Sequence, residues 1–190
     1  MKQHFNTKTI VVTGLLLAIE IIFQLIGNYL QIGPANINLS LVPVVIAGIV
    51  GGPISAAILG FFNGIMALLS PSTIAYFMPL SPFGTALVCL LKCTIAGVVS
   101  SLVYRAIKNK HVATPIAAAL VPIINTGLFA LGCFIFFKDM LFADGRDVLG
   151  AFGFVILGLI GWNFVIELPT TIVLSIATNE ILLTREPTTR

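Results

Sequence analysis

Residues Gln31 to Pro53 read QIGPANINLSLVPVVIAGIVGGP, an apolar run fenced by Gly-Pro at one end and Gly-Gly-Pro at the other. Its entrance carries Asn36, Asn38 and Ser40 where a soluble protein would place charges. The remainder of the chain supplies the solvent that such a run needs. Of the 190 residues 58% are hydrophobic and only 9% charged, against roughly 45–50% and about 25% in soluble domains. The sequence is therefore that of an integral membrane protein, with room for about six helices of roughly 20 residues and short connections.

Proline and glycine punctuate the apolar stretches and predict an all-α bundle of six transmembrane helices in one integral membrane domain, 1–190, with helices at about 9–30, 38–50, 53–69, 83–107, 115–137 and 151–183. Pro53 opens the third of these, where its missing N–H costs nothing. The first apolar run is too long for the core of a signal peptide, about 7–15 residues, and reads as a retained helix. Between the third and fourth helices lies SPSTIAYFMPLSP, Ser70 to Pro82, whose three prolines in thirteen residues forbid a regular helix through it. The segment KDMLFADGRDVLG reads as a linker between the last two helices.

Basic residues set the orientation. Lys2, Lys8, Arg105, Lys108, Lys110, Arg185 and Arg190 fall on one side of the predicted bundle and only Lys138 and Arg146 on the other. Seven against two puts both termini in the cytoplasm of a multi-pass cell-membrane protein. The loop after the first helix, the Ser70–Pro82 loop and the acidic loop with Asp139, Asp144 and Asp147 then face outward. The basic residues form no stripe, so the formal charge of +3 does not point to nucleic acid. Cys89, Cys93 and Cys133 sit in apolar stretches without paired CxxC spacing and read as small hydrophobes, not metal ligands.

Several polar residues fall where lipid should exclude them. Counting 1.5 Å per residue from the outer helix ends puts Lys92 and Glu20 roughly 15 Å deep, Asn125 and Asn163 roughly 18 Å and Asn63 roughly 9 Å. An ionisable group at mid-bilayer costs at least about 2.5–3.5 kcal/mol, so each needs a partner or a wet cavity. One reading makes Glu20 and Lys92 a structural ion pair and the asparagines glue between helices. The other, favoured by their common depth, is an outward-opening substrate pocket lined by Lys92, Asn125, Asn163, Asn63 and Glu20. Lys92 would meet an anionic group, Asn36 and Asn38 would hang over the mouth, and Tyr76 would belong to a lid with Phe77 and Met78. Glu167, one turn below Asn163, is expected to contact a helix instead of the ligand. Trp162 could pack or serve as a ligand platform, and Gly158 and Gly161 are expected to allow close helix packing.

No phosphate loop, His-Glu-x-x-His, Gly-x-Ser-x-Gly or paired aspartate motif is present, and His4 and His111 lie in the cytoplasmic tail and loop. The reading is not an enzyme, with no cofactor and no metal. Gly14 and Ala18 on the first helix are small residues four apart; on that motif alone, packing inside the chain's own bundle is the expectation.

Together, GLLLA at Gly14 to Ala18 and LVPVVIAGIVGGPISAAILGFFNGIMALLSP, from Leu41, give the chain a pattern that resembles the substrate-binding S components of energy-coupling factor (ECF) transporters. The resemblance covers most of the chain through loose motifs. It implies a six-helix protein that captures a vitamin in its outer half, docks through Gly14 and Ala18 onto a transmembrane coupling subunit, and topples to release cargo. ATP would be hydrolysed by two cytoplasmic ATPases of that module. The segment from Asn36 onward is most similar to pantothenate-specific members, and Lys92 suits a single carboxylate. Riboflavin or another vitamin is the alternative, disfavoured for the flavin by a pocket expected to be poor in aromatics. A stand-alone secondary transporter using Glu20, Lys92 and Glu167 as a relay is the alternative of a different class.

Overall fold

A computed structural model describes residues 7–29, 31–32, 35–36 and 39–185, with the side chains of 28–29, 31–32, 35–36, 144, 162 and 182–185 outside the description. Helix α1, Thr7–Tyr29, leads into a two-residue antiparallel pairing, β1 (Gln31–Ile32) with β2 (Ala35–Asn36), in which Gln31 faces Asn36. Helices α2 (Leu41–Val50) and α3 (Gly52–Leu68) follow with almost no connection. Gly52 makes that turn possible because it adopts φ 82°, a left-handed conformation open to glycine without steric cost. Pro53 then occupies the first turn of α3, where no N–H is needed.

Helix α4, Pro71–Tyr76, corrects the expectation of an irregular Ser70–Pro82 loop. Pro71 stands in its first turn and Ser70 caps it by accepting from the Thr73 N–H at 3.4 Å, so the proline starts this helix instead of breaking it. Helix α5, Pro82–Ala106, is capped by Ser81 in the same way. Helix α6, Lys110–Phe136, begins one and a half turns ahead of Pro115, because Asn109 caps it through His111 N–H at 3.1 Å. Lys110 folds back to donate to the last carbonyls of α5, Tyr104 and Ile107, each at 3.0 Å. A basic side chain is well placed there, at the negative end of a helix.

The expected linker after α6 is itself folded. It contains α7 (Lys138–Leu141), a 3-10 turn (Ala143–Gly145) and α8 (Val148–Gly153), whose cap Asp147 accepts from Gly150 N–H at 2.8 Å. Arg146 ties the segment together, donating to Met140 O at 3.1 Å and stacking 4.3 Å from the centre of the Phe154 ring. The single last helix expected at 151–183 is also corrected. A π-helical stretch, Phe154–Ile160, follows α8, and the chain breaks at Gly161, φ −9° and ψ −96°, before α9 runs Gly161–Arg185. Gly158 is exposed and Gly161 forms the break, so neither serves the close helix packing expected of it.

Backbone contact holds the centre. Ala56, Gly60 and Gly64 lie four apart on α3, and a Cβ at Gly60 would fall 2.5 Å from Cys93 O, one at Gly64 2.6 Å from Cys89 O. On α5, Gly97 meets Ala56 O in the same manner. The pairings run in opposite senses, so α3 and α5 are antiparallel and packed as closely as small residues allow. Leu41 and Val45 of α2 join Ala96, Ala118 and Val121 in one apolar cluster, and Leu16 of α1 joins Val44, Ala47 and Leu59 in another.

Polarity is distributed the reverse of a soluble fold. Glu20, Gln24, Ser40, Ser55, Asn63, Ser100, Asn125, Glu167, Thr171, Ser175 and Asn179 are buried, while Leu15, Ile22, Phe61, Phe83, Leu131, Leu157 and Val173 are exposed. An apolar exterior this extensive requires an apolar surround. Four helical segments are long and apolar enough to cross a membrane: Thr7–Gly27, Pro82–Ala106, Lys110–Phe136 and Asn163–Ile181. Helices α2 and α3, with 10 and 17 residues, are shorter.

Candidate functional site

An open cleft of about 250 Å³ lies between α4, the first half of α5 and the end of α6. Thr73, Phe77, Thr85, Val88, Cys89, Lys92, Phe129 and Phe137 line it. The Lys92 ammonium sits 4.9 Å from the centre of the Phe129 ring, close enough for the ring's negative face to attract it. Phe77 meets both other rings edge on, Phe129 at 5.6 Å and Phe137 at 5.1 Å between centres. The Thr85 hydroxyl is spent on Ser81 O at 2.7 Å and Phe77 O at 2.9 Å, which fixes the chain after α4 to the top of α5. The cleft thus offers apolar and aromatic walls with one cation, the arrangement that holds a small amphipathic anion.

Beneath the cleft a chain of buried side chains crosses the bundle. Ser40 donates to Gln24 Oε1 at 2.8 Å, and Asn63 Nδ2 donates to Ser40 Oγ at 2.6 Å. The Cys93 thiol lies 3.2 Å from Asn63 Oδ1 and 3.3 Å from Asn125 Oδ1. Four helices and the residue before α2 are joined by this chain, which leaves the amides of Asn63 and Asn125 engaged with the protein itself.

The expected pocket residues therefore separate. Lys92 borders the cleft; Asn63 and Asn125 point toward each other through Cys93 and are not among its lining residues. Glu20 is 1% exposed and faces the Asn63 amide, yet neither carboxylate oxygen has a hydrogen-bond partner among the described residues. The expected Glu20–Lys92 pair is corrected: among the described residues the sole ion pair is His111–Glu180, at 2.9 Å. Helix α1 packs on α2 and α3, and α3 in turn packs on α5, which carries Lys92. Glu167, expected to contact a helix instead of the ligand, is buried and is not among the residues lining the cleft.

Asn163 is the third residue of α9, so it lies at the beginning of that helix and not twelve residues down it. Its Oδ1 is buried without a partner. Tyr76 is 69% exposed and does not line the cleft; the adjacent Phe77 does. Asn38 and the side chains of Asn36 and Trp162 lie outside the described residues. Gly14 and Ala18 are both exposed, and nothing lies within 4 Å of a Cβ built on Gly14. That overturns the expectation from the motif alone that Gly14 packs inside its own bundle, since the helix turns this face outward.

Reasoning from the sequence placed Phe77 in a lid but missed Phe129 and Phe137, and with them the cluster the three rings form. They stand 52 and 8 residues apart along the chain, and no spacing signals that α4 brings Phe77 onto α6. Cys93 was legible only as an apolar thiol. Among the described residues no three His, Cys, Asp or Glu side chains are grouped to hold a metal ion.

A helical bundle with an apolar exterior, a polar seam inside and a cleft carrying one cation defines a multi-pass membrane protein that binds a small solute. Residues 8–179 match the family described as ECF transporter, substrate-specific component, and the chain belongs to that family. Its members are substrate-binding subunits of transporters. No curated protein and no solved structure matches the chain.

Proposed function

We propose that the chain is the vitamin-capturing subunit of an ECF importer in the cell membrane, that its cargo is pantothenate, and that Lys92 binds the cargo's carboxylate. The observation that carries this reading is the Lys92 ammonium in an aromatic cleft without an ion-pair partner among the described residues. In such a setting a carboxylate and an ammonium attract far more strongly than in water. The apolar walls would cover the cargo's methyl groups, and α4 with Phe77 would close over it. Asn36 and Asn38 would contribute from the loop at the mouth.

In this reading the protein has six spans with both termini in the cytoplasm, so that the cleft opens outside. It delivers cargo through a transmembrane coupling subunit, docked on the outward face of Gly14 and Ala18, and two cytoplasmic ATPases. The small residues would let a partner helix approach closely, which the exposed Val11, Leu15 and Ile22 beside them would cover.

A second reading, riboflavin, is favoured by Phe77, Phe129 and Phe137, which supply the aromatic walls that the sequence had not suggested. Native mass analysis of the protein purified from vitamin-rich medium tests both. Bound pantothenate is the expected result, bound riboflavin would favour the second reading, and protein free of either after supplementation with both would contradict the vitamin-binding role.

A further inference from the structure

Thr13, Leu16, Glu20, Gln24 and Gly27 of α1 are buried, and their spacing of three and four places them on one face of the helix. That face is turned to α2 and α3. At its lower end the Thr13 hydroxyl donates to Ser55 Oγ at 3.0 Å, and Leu16 packs with Val44, Ala47 and Leu59. Further up, Gln24 Oε1 accepts from Ser40 at 2.8 Å, and Ser40 Oγ accepts from Asn63. Glu20 lies between Leu16 and Gln24, about one turn from each, so its carboxylate enters the same interface beside the Gln24–Ser40–Asn63 chain.

No opposite charge meets it there. From Thr7 to Leu68, which takes in α1, α2 and α3, the charged residues are Lys8 and Glu20 alone. Lys8 is exposed and lies twelve residues away, roughly 18 Å along the helix. Neither α2 nor α3 carries a titratable side chain, and β2, which also touches α1, carries none. Beyond Asn63 the seam reaches the Cys93 thiol, a donor already engaged with two amides. Glu20 is 1% exposed, and neither of its oxygens has a partner among the described residues. An unpaired hydroxyl such as that of Ser175 costs a hydrogen bond; an uncompensated carboxylate charge inside a bilayer costs far more. One carboxylate needs one positive charge, and the helices packed around it supply none. The oxygens of Glu20, Gln24 and Ser40 are the ligands that a small hard cation takes, and the acceptors that can hold an added proton.

We propose that Glu20, Gln24 and Ser40 form a site for one small monovalent cation, a proton or an alkali-metal ion, which fastens α1 to α2 and α3. The site is separate from the cargo cleft, whose lining includes none of these residues, and does not depend on which cargo is bound. A cation held by the folded chain and not by the unfolded one stabilises the fold by mass action.

The test uses the purified full chain in detergent, wild type and Glu20→Gln, a neutral replacement of the same shape. Melting temperatures are measured in sodium, potassium and N-methylglucamine chloride at equal ionic strength. Infrared spectra at neutral pH report the carbonyl stretch of an un-ionised carboxylic acid. If the cation is an alkali metal, wild type melts higher in sodium or potassium than in N-methylglucamine, by about 5 °C or more, and Glu20→Gln melts alike in all three. If it is a proton, wild type shows the acid band, Glu20→Gln lacks it, and the three salts are equivalent. Wild type with neither an acid band nor a salt-dependent melting temperature would overturn the proposal, whether or not the variant folds. An acid band or salt response that persists unchanged in Glu20→Gln would also overturn it, by assigning the effect to another group. Should Glu20→Gln fail to fold, Glu167→Gln decides, because it leaves Glu20 as the one buried carboxylate among the described residues. Retention of the band or salt response is then the expected result, and its loss would overturn the proposal.

Discussion

Phe77 meets the Phe137 ring at 5.1 Å between centres and an interplanar angle of 62°, joining the short helix α4 to the end of α6 over the cleft. Its neighbour Tyr76 is exposed and outside that cluster. Two adjacent aromatics thus have opposite roles. Edge-on ring pairs contribute about 0.5–1.5 kcal/mol beyond the area they bury, and Phe77 makes two of them. Phe77→Ala should therefore weaken cargo binding by roughly tenfold or more through faster release, while Tyr76→Ala should leave affinity within about twofold. Dissociation rates of labelled vitamin from both variants check this contrast.

Cys93 serves two acceptors with one hydrogen. Cys93→Ser keeps a donor and should remain close to wild type in stability. Cys93→Val fits the space but leaves Asn63 Oδ1 and Asn125 Oδ1 without a donor, at a cost of about 1–3 kcal/mol for each unsatisfied group. Thermal unfolding in detergent should rank wild type and Cys93→Ser above Cys93→Val.

Gly60 is the tightest point of the α3–α5 contact. A methyl group there cannot be absorbed by a flexible side chain, because the obstacle is the Cys93 carbonyl of the facing backbone. Gly60→Ala should destabilise the protein by about 1–3 kcal/mol, the range for overpacking a filled core. Gly14→Ala, at a position with open space, should be neutral or slightly stabilising because alanine favours helix. Paired melting curves of the two variants test whether the glycines differ as their surroundings dictate.

Gly14→Leu or Ala18→Leu should leave cargo affinity unchanged and abolish ATP-driven uptake once the coupling subunit and ATPases are present. The outward face of α1 does not touch the cleft, so a bulky side chain there interferes only with a partner. Uptake assays in vesicles, run beside binding assays on the same variants, separate the two effects. Full uptake in either variant would place the docking surface elsewhere.

Much of the helical framework was legible because apolar length and proline position are local properties: α1, α3 and α5 begin and end within about two residues of where Gly, Pro and polar breaks put them. The Ser70–Pro82 segment misled because a proline was counted as a breaker without asking whether it stood at a helix start, as Pro71 does. The break at Gly161 was hidden in a continuous apolar run, where composition carries no mark of backbone irregularity. The hidden break put Asn163 twelve residues into a helix of which it is the third residue. Lys92 was found because a charge in lipid stands out on its own. Its surroundings were not, because Phe77, Phe129 and Phe137 converge only when α4, α6 and α7 have packed.

The central claim is that Lys92 anchors an anionic vitamin in the cleft, and equilibrium binding of labelled pantothenate to wild type and Lys92→Gln measures it most directly. Loss of a charge-assisted hydrogen bond of about 1.5–3 kcal/mol corresponds to a roughly 10- to 150-fold weaker Kd, with the variant still inserted and folded. Equal affinity in the two proteins would contradict the account.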